Sequence, residues 1–467
     1  MNLALLFIAL LAIPVAGLGP AVWFMRRPGT ISAVELMAVS WLLGVSVLSM
    51  ALACGGILLR GLALQLTIAT GCVLSGYLAL RLWRLAGNKI SWPKPSCKME
   101  GVLCAVLLLE FAVVAWIQCR TALGWDGLLS WEVKARYAFL NGGSIPPEYF
   151  SDPTRVLSHP GYPLMLPMLE TWIYLWIGDC DQFWVRFIFP LFYYAAALVL
   201  YLGVARLSGK KWAGLTAAAM LFFLPFPVAG PWNVFAGYAD LPLAVFYLAA
   251  VVCFLRYQIE SSRTQLTLMA VLAGMMPWIK QEGIVLWFCL MVVVLVELLR
   301  RRKLLASALV IMPGLAVWTG WKTATHILGT RPGSDFLPCN PGILAGNSPR
   351  ILTALRMLAG ELGKIGNWSL LWVGFPVALI CLGCIGRRKT AGQLFFCVAA
   401  PLLLLSCAFI LSAWPVYQSH IRTSLPRLVL QVSPVAVLAI GLALGRTRSG
   451  VERMRSEKNE PDPPPAG

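Results

Sequence analysis

The segment SHPGYPLMLPMLETWIYLWI, residues 158–177, decides how this chain is threaded. It is nearly long and apolar enough for a membrane-spanning helix, which needs about 20 apolar residues. However, its first half contains Pro160, Pro163 and Pro167. Proline inside a helix removes a backbone hydrogen bond and bends or breaks the helix. We therefore expect the apolar part, residues 161–177, to form an interfacial or re-entrant helix and not a span.

The composition of the whole chain is that of a membrane protein. Of its 467 residues, 59% are hydrophobic and only 12% are charged, whereas soluble domains carry about 25% charged residues. We predict an all-α polytopic membrane protein with about thirteen spans, each near the length that a bilayer requires. The predicted spans are residues 3–24, 32–59, 62–83, 101–118, 185–205, 212–228, 239–257, 265–279, 283–299, 304–324, 369–386, 391–412 and 427–444.

The distribution of basic residues predicts the orientation of these spans. The net charge of +18 is better explained by membrane topology than by nucleic-acid binding, because lysine and arginine collect in short cytoplasmic loops. If residues 161–177 do not cross, most of the basic residues fall on one side. We therefore place that side in the cytoplasm and the N-terminus outside, in a bacterial inner membrane. The basic segments are Arg26–Arg27, 81–98, 206–211, 256–263, 300–303, 387–389 and a cytoplasmic, disordered tail at 446–467.

Cysteine usage and motif content give no sign of a cofactor. The thirteen cysteines are an odd number and lie mostly in apolar stretches, so we interpret them as small hydrophobic residues. No nucleotide-binding fingerprint or cluster of metal-ligating residues occurs. We expect no cofactor and no required metal ion. The first span shows no features of a cleavable signal and is expected to remain as a helix.

Three predicted external segments combine polar residues with tryptophan or tyrosine. They are residues 119–184, residues 326–368, which include a predicted amphipathic helix at 350–365, and residues 414–427. Aromatic residues are common at membrane interfaces, but the charges beside them need a further reason. We examine them as candidates for a site at the external surface.

The first external segment contains GWDGLLSWEVKARYAF, residues 124–139, directly after a span. Asp126 is placed to accept a proton from a hydroxyl group as a general base. It is equally suited to cap the interfacial helix that follows. Glu132 is a second acidic residue in the same stretch.

Two span ends carry further charges. GYADLPLAVFYL places Tyr238 and Asp240 at the outer end of a span, and MMPWIKQEGIVLW places Lys280 and Glu282 between two apolar stretches. Charged residues near the membrane are costly and suggest function. Lys280 is suited to hold a lipid phosphate, although a simple turn with a snorkelling lysine is the alternative.

Histidine and arginine side chains complete the candidates. His159 is suited to bind phosphate or an acceptor, or is an ordinary loop histidine. WPVYQSHIRTSLPR places His420, Arg422 and Arg427 outside, against the usual bias of basic residues. An anionic headgroup in the external leaflet would explain them, unless they are chance exceptions.

In order along the chain, these elements resemble the GT-C superfamily of polyprenyl-phosphate-sugar-dependent glycosyltransferases. The order is an external Asp after a span, the HPGYP segment with His159 and Tyr162, Arg186 in DQFWVRFIFPL, then YADLPLA, KQEG and a late TSLPR. The closest pattern is the bacterial branch related to protein O-mannosyltransferases and aminoarabinose transferases, glycosyltransferase family 39. The resemblance covers about residues 102–443 and rests on order and topology, since no single motif is specific.

The resemblance implies a catalytic core at residues 101–445 and leaves residues 1–100 as N-terminal helices outside it. It implies Asp126 as the catalytic residue, with Glu132 or Asp152 as a second acid. It also implies that Lys280, Arg186 and Arg427 surround the donor phosphate, and that His159 opens the H/K-P-P segment of the family, here with Gly161 in place of the second proline.

The implied reaction is inverting transfer of a sugar from a polyprenyl-phosphate lipid to a glycan, lipid or protein acceptor at the external face. The competing interpretations are a transporter or lipid flippase, and a scaffold without chemistry. Transporters of this size commonly contain two similar halves with broken helices, and none are evident. A wide separation of Asp126 from Lys280 would favour either alternative.

Overall fold

The computed structural model describes residues 2–25, 30–87, 89–229, 235–330, 333 and 335–445. Within these ranges the chain is almost wholly helical, and ten helices are long and apolar enough to cross a membrane. The prediction of an all-α polytopic membrane protein is confirmed. Arg26–Arg27 and the tail at 446–467, which were used to predict topology, lie outside the described residues.

The N-terminal third consists of four long helices and one small sheet. The strands β1 and β2 pair in parallel between helices, which the sequence did not predict. The elements are α1 (Asn2–Met25), β1 (Thr30–Ser32), α2 (Ala33–Leu58), α3 (Gly61–Ala86), β2 (Lys89–Ser91) and α4 (Lys98–Arg120).

The first external segment folds into short helices. They are a π-helical segment (Gly127–Glu132), α5 (Val133–Leu140), α6 (Pro147–Ser151), a 3-10 helix (Pro153–Ser158), α7 (Met165–Ile177) and α8 (Gln182–Val185). Helix α7 has 13 residues, too few to cross a bilayer at 1.5 Å per residue.

The rest of the chain forms the helical bundle and a second group of short helices. The elements are α9 (Ile188–Ser208), α10 (Lys211–Met220), α11 (Pro225–Ala229), α12 (Asp240–Glu260), α13 (Arg263–Gly274), α14 (Met276–Ile279), α15 (Gly283–Arg300), α16 (Leu304–Ile327), α17 (Pro341–Asn347), α18 (Pro349–Leu362), α19 (Ile365–Trp368), α20 (Leu371–Cys384), α21 (Arg388–Cys407), a 3-10 helix (Ala408–Leu411) and α22 (Tyr417–Leu444).

Residues 121–185 leave and return to the same end of the bundle. Arg186, at the end of α8, donates hydrogen bonds to the carbonyl oxygens of Thr121 (2.7 Å) and Cys119 (3.0 Å) at the end of α4. Helix α7 lies between these two points in the chain and therefore does not thread the bundle. The helix covers residues 165–177 of the expected 161–177, and its interfacial or re-entrant position in the membrane stays a prediction.

The basic loops meet at the opposite end. The carboxylate of Glu35 pairs with Arg206 (3.1 Å) and with Arg256. Lys389 pairs with Glu297 (2.5 Å), and Lys211 donates to the carbonyl oxygen of Lys94 (3.2 Å). These contacts join loops that are far apart in the chain, so the basic residues share one end, as their spacing predicted.

Candidate functional site

Three glycines fix the position of Asp126 against the chain before α12. The backbone N–H of Gly124 donates to the carbonyl oxygen of Ala236 (2.7 Å). A side chain on Gly127 would collide with that same oxygen. Gly237 has a φ of +87°, in the left-handed region that favours glycine. These residues let two loop backbones touch, and Asp126 is held between them, near the start of α12.

Asp240, the first residue of α12, is buried and lies between two cations. Its Oδ1 lies 2.8 Å from Nζ of Lys280, and its Oδ2 accepts a hydrogen bond from Nε of Arg427 at 3.0 Å. The side-chain amide of Gln431 donates to Oδ1 at 2.7 Å. A buried carboxylate is tolerated when it is paired and hydrogen-bonded in this way. Asp240 therefore positions both cations.

The guanidinium of Arg427 connects Asp240 to Asp126. Its Nη2 lies 2.6 Å from Oδ2 of Asp126, and the group also lies over the ring of Tyr238, 4.6 Å from the centroid. Such a cation–π contact adds to the attraction where the cation is shielded from water. Arg427, which lies on α22, thus joins the loop carrying Asp126 to the start of α12.

Lys280 occupies the break between α14 and α15. The backbone leaves the helix at this residue, with φ −154° and ψ 157°, after Pro277 near the start of α14. Its Nζ is also 2.9 Å from Oε1 of Glu282. The two predicted span ends, YADLPLA and KQEG, therefore meet in one charged network. We define the charged network as Asp126, Asp240, Lys280, Glu282, Arg427 and Gln431.

The charged network faces a cavity of about 650 Å³, within the range of small-molecule sites. We call it the charged cavity. Its apolar wall includes Val285, Leu405 and Leu428. The remaining lining residues are Trp125, Asp126, Leu157, His159, Tyr162, Tyr238, Lys280, Gln281, Glu282, Asp335, Phe336, Ala408, Phe409, Trp414, His420, Thr423, Ser424 and Arg427.

His159 reaches the charged cavity from a strained turn. Its φ of 47° is unusual for a residue other than glycine. The imidazole stacks on the ring of Tyr162, with centroids 4.5 Å apart, and its Nδ1 lies 3.6 Å from Oδ2 of Asp335. Burial lowers the pKa of His159, and the charge of Lys134 acts in the same direction, against Asp335. The neutral imidazole is thus favoured at pH 7.

Most predicted site residues come together, but three lie elsewhere. Asp126, His159, Tyr162, Tyr238, Lys280, Glu282, His420 and Arg427 line the charged cavity, and Asp240 supports it from behind. Arg186 instead ties the ends of the first external segment together. Arg422 is exposed on α22 and does not line the cavity.

Glu132 belongs to a separate buried network. Its Oε1 accepts a hydrogen bond from the hydroxyl of Tyr174 (2.8 Å) and pairs with Arg136 (3.3 Å). The side-chain amide of Gln182 donates weakly to Oε2 at 3.4 Å. These contacts join the π-helical segment to α7 and α8, and Glu132 does not line the charged cavity.

Sequence reasoning missed several residues of the cavity wall. Asp335 and Trp414 come from two separate external segments, and the indole N–H of Trp414 donates to Oδ1 of Asp335 (3.0 Å). Their backbones also pair, since the N–H of Ala413 donates to the carbonyl oxygen of Asp335 (2.9 Å). The available signal was weak: an isolated acid beside Phe336, and a tryptophan near His420.

Acidic groups do not form a metal centre in the described part of the chain. No group of three or more histidine, cysteine, aspartate or glutamate side chains is placed to hold a metal ion there. The carboxylates of the charged network are instead directed at Lys280 and Arg427. The cavity is lined by three carboxylates, two cations and an apolar wall.

Comparison with known proteins supports a glycosyltransferase. Residues 158–321 match the model of the dolichyl-phosphate-mannose-protein mannosyltransferase family. The match begins at the HPGYP segment and includes Asp240, Lys280 and Glu282. It indicates a glycosyltransferase domain of the GT-C type, carried by an integral membrane protein. No curated protein matches the chain.

Proposed function

We propose that this protein transfers a sugar from a polyprenyl-phosphate lipid to an acceptor hydroxyl at the external face of the membrane. One observation carries the proposal: Asp126, Arg427, Asp240 and Lys280 form one continuous network at an apolar-walled cavity. A flippase or scaffold has no need of this convergence. A mannosyl lipid is the first donor to test, given the description of the matching family.

The two cations are suited to the phosphate of the donor. Lys280 provides a point charge and Arg427 a planar guanidinium, the usual partners of phosphate oxygens. The apolar residues Val285, Leu405 and Leu428 would lie against the first units of the lipid. Charge builds on the phosphate as the sugar leaves, so fixed cations lower the barrier.

Asp126 is suited to be the general base. It would take the proton of the acceptor hydroxyl while the hydroxyl oxygen bonds to the anomeric carbon. The bond from that carbon to the phosphate oxygen breaks, and polyprenyl phosphate leaves with its electron pair. A single displacement of this kind inverts the anomeric carbon. Glu132 has other partners, so we assign the base to Asp126 alone.

The pairing of Asp126 with Arg427 suggests an order of binding. The guanidinium of Arg427 lies 2.6 Å from Oδ2 of Asp126, so this contact occupies one of the oxygens that would accept the proton. A phosphate that binds Arg427 competes for the same guanidinium. We infer that donor binding loosens this pair and frees the carboxylate of Asp126 for the acceptor hydroxyl, so the base becomes effective only when a donor is present.

The test uses the full-length protein in lipid nanodiscs. Transfer is measured from radiolabelled undecaprenyl-phosphate mannose to an envelope fraction from a strain lacking this protein. We expect Asp126→Asn to reduce transfer by at least about 100-fold, as for loss of a general base, while binding of undecaprenyl phosphate persists. Lys280→Ala should instead weaken that binding.

Two exposed residues provide controls, Asp179 in the same segment as Asp126 and Lys322 in α16. Asp179→Asn and Lys322→Ala change exposed residues outside the charged cavity and should leave transfer and binding unchanged. Full activity of Asp126→Asn would refute its role as the base. Undiminished lipid binding by Lys280→Ala would refute the phosphate site.

A further inference from the structure

Trp414 is held in one orientation at the wall of the charged cavity. Its indole stacks on the imidazole of His420, with centroids 4.7 Å apart and planes 13° apart. Its N–H donates to Asp335 at 3.0 Å. The imidazole is fixed in turn, because its Nδ1 lies 2.9 Å from the hydroxyl of Ser412.

These contacts leave part of the indole exposed. Trp414 remains 38% exposed although His420 covers one face of the indole and Asp335 accepts a hydrogen bond from its N–H. It also lines the charged cavity. An aromatic side chain that is already fixed before the ligand arrives loses less conformational entropy on binding. A flat, fixed aromatic surface beside hydroxyl and carboxylate groups suits a sugar ring, which has an apolar C–H face and a polar edge.

The distance along α22 between His420, which stacks on Trp414, and Arg427 agrees with a sugar attached to a phosphate bound at Arg427. His420 and Arg427 are seven positions apart on α22, which is about 10 Å at the helical rise of 1.5 Å per residue. Thr423 and Ser424 lie between them and also line the cavity. A hexose linked to a phosphate at Arg427 would extend past these hydroxyls towards Trp414.

We propose that Trp414 is the platform on which the sugar ring of the lipid donor stacks, with Asp335, Thr423 and Ser424 near the hydroxyl edge of the ring. This assignment rests on the proposed function, since it places the sugar of the same donor. Trp414 is therefore a specificity-determining residue: it distinguishes a glycosylated lipid phosphate from the bare product. Release of the product follows once the sugar has left the platform.

The experiment compares lipids that differ only in the sugar. Full-length protein in nanodiscs is titrated with undecaprenyl phosphate and with its mannose, glucose and galactose conjugates. The wild type should bind at least one conjugate more tightly than the bare lipid. Trp414→Ala should lose most of that preference, by up to about 10-fold for one aromatic contact, and bind the bare lipid as the wild type does. Trp414→Phe should retain part of it.

Trp116→Ala is the control, because that residue is an exposed tryptophan of α4 outside the cavity. Thermal unfolding of each variant verifies the fold. If the wild type binds the bare lipid but prefers no conjugate, or if Trp414→Ala keeps the preference, the platform is refuted and the phosphate site stands. If the wild type binds none of the lipids, the proposed function and the platform both fail.

Discussion

Lys134 shows how one side chain joins two walls of the site. It is fully buried, and its Nζ donates to the carbonyl oxygens of Ser130 (2.5 Å) and Ser158 (2.9 Å). Ser130 belongs to the π-helical segment that follows Asp126, and Ser158 precedes His159. Lys134 therefore fixes the general-base candidate and the histidine relative to each other.

Lys134 should make stability depend on alkaline pH. Burial lowers its pKa to about 7, against the charges of Glu170 and Asp126, whereas the pKa of lysine in an unfolded chain is about 10.4. Between these values the unfolded chain binds more protons, so stability should rise with pH from about 7 to 10, by at most about 1.4 kcal/mol per pH unit. Lys134→Met should remove this rise in thermal unfolding of the purified protein.

Comparing the slope of stability against pH between the wild type and Lys134→Met isolates the contribution of Lys134. Other groups that titrate in the same range contribute to the wild type and to the variant, and the difference between the two slopes reports Lys134. Lys322→Met, which changes an exposed lysine, should keep the wild-type slope. Equal slopes for the wild type and Lys134→Met would show that Lys134 is charged in the folded protein.

For individual site residues, the sequence predicted those at span ends and missed those in loops. Asp240, Lys280 and Arg427 each lie near the end of an apolar stretch that leads to the same face, so their convergence follows from topology. Asp335 and Trp414 meet through backbone pairing between two distant segments. No local pattern contains that pairing, and for this reason neither residue was predicted.

Among the elements, the π-helical segment Gly127–Glu132 lies in close backbone contact with its neighbour. It begins directly after Asp126 and packs against the carbonyl oxygen of Ala236 through Gly127. Any side chain at Gly127 must push these two backbones apart. Because Asp126 adjoins this contact, its distance from Arg427 would change with it.

We expect Gly127→Ala to reduce sugar transfer by about 100-fold, since a displacement near 1 Å at a reacting group costs about that much. Expression and thermal stability should fall less. Transfer is measured as for Asp126→Asn. Gly71→Ala is the matched control, because its new methyl group would enter open space. Transfer at the wild-type level in Gly127→Ala would mean that the loop accommodates the methyl group without moving Asp126.

Hydropathy predicted the long helices well and the broken ones less well. Ten of the expected spans are long helices, whereas residues 212–228, 265–279 and 369–386 contain helices of 10, 12 and 14 residues. Proline explains the first two breaks, since Pro225 begins α11 and Pro277 is the second residue of α14. The short helix after the second break is functional in our proposal, because it ends at Lys280.

In the whole molecule, the N-terminal helices support the site although the family resemblance leaves them out. The indole N–H of Trp172 in α7 donates to the carbonyl oxygen of Ala9 in α1 (3.0 Å). The indole N–H of Trp278, two residues before Lys280, donates to the hydroxyl of Ser49 in α2 (3.1 Å). Helices α1 and α2 thus hold α7 and the break at Lys280 in place.

The orientation of the whole bundle in the membrane is the last property to test. The loops at Gly209 and Ser348 lie at opposite ends of the bundle, because an odd number of helical passes separates them along the chain. We predict that the end beside Gly209 is cytoplasmic, because basic residues flank that loop. Alkaline phosphatase, which needs the oxidising periplasm for its disulfides, is inserted at each position in the full-length chain.

We expect phosphatase activity from the insertion after Ser348 and none from the insertion after Gly209. A green fluorescent protein that folds only in the cytoplasm should give the reverse pattern. Sugar transfer by each fusion verifies that the fold survives. Phosphatase activity at Gly209 alone would invert the orientation and place Asp126 and Lys280 in the cytoplasm. A lipid-linked donor would then lose its advantage, because nucleotide sugars are present on that side, and the proposed reaction would have to be abandoned.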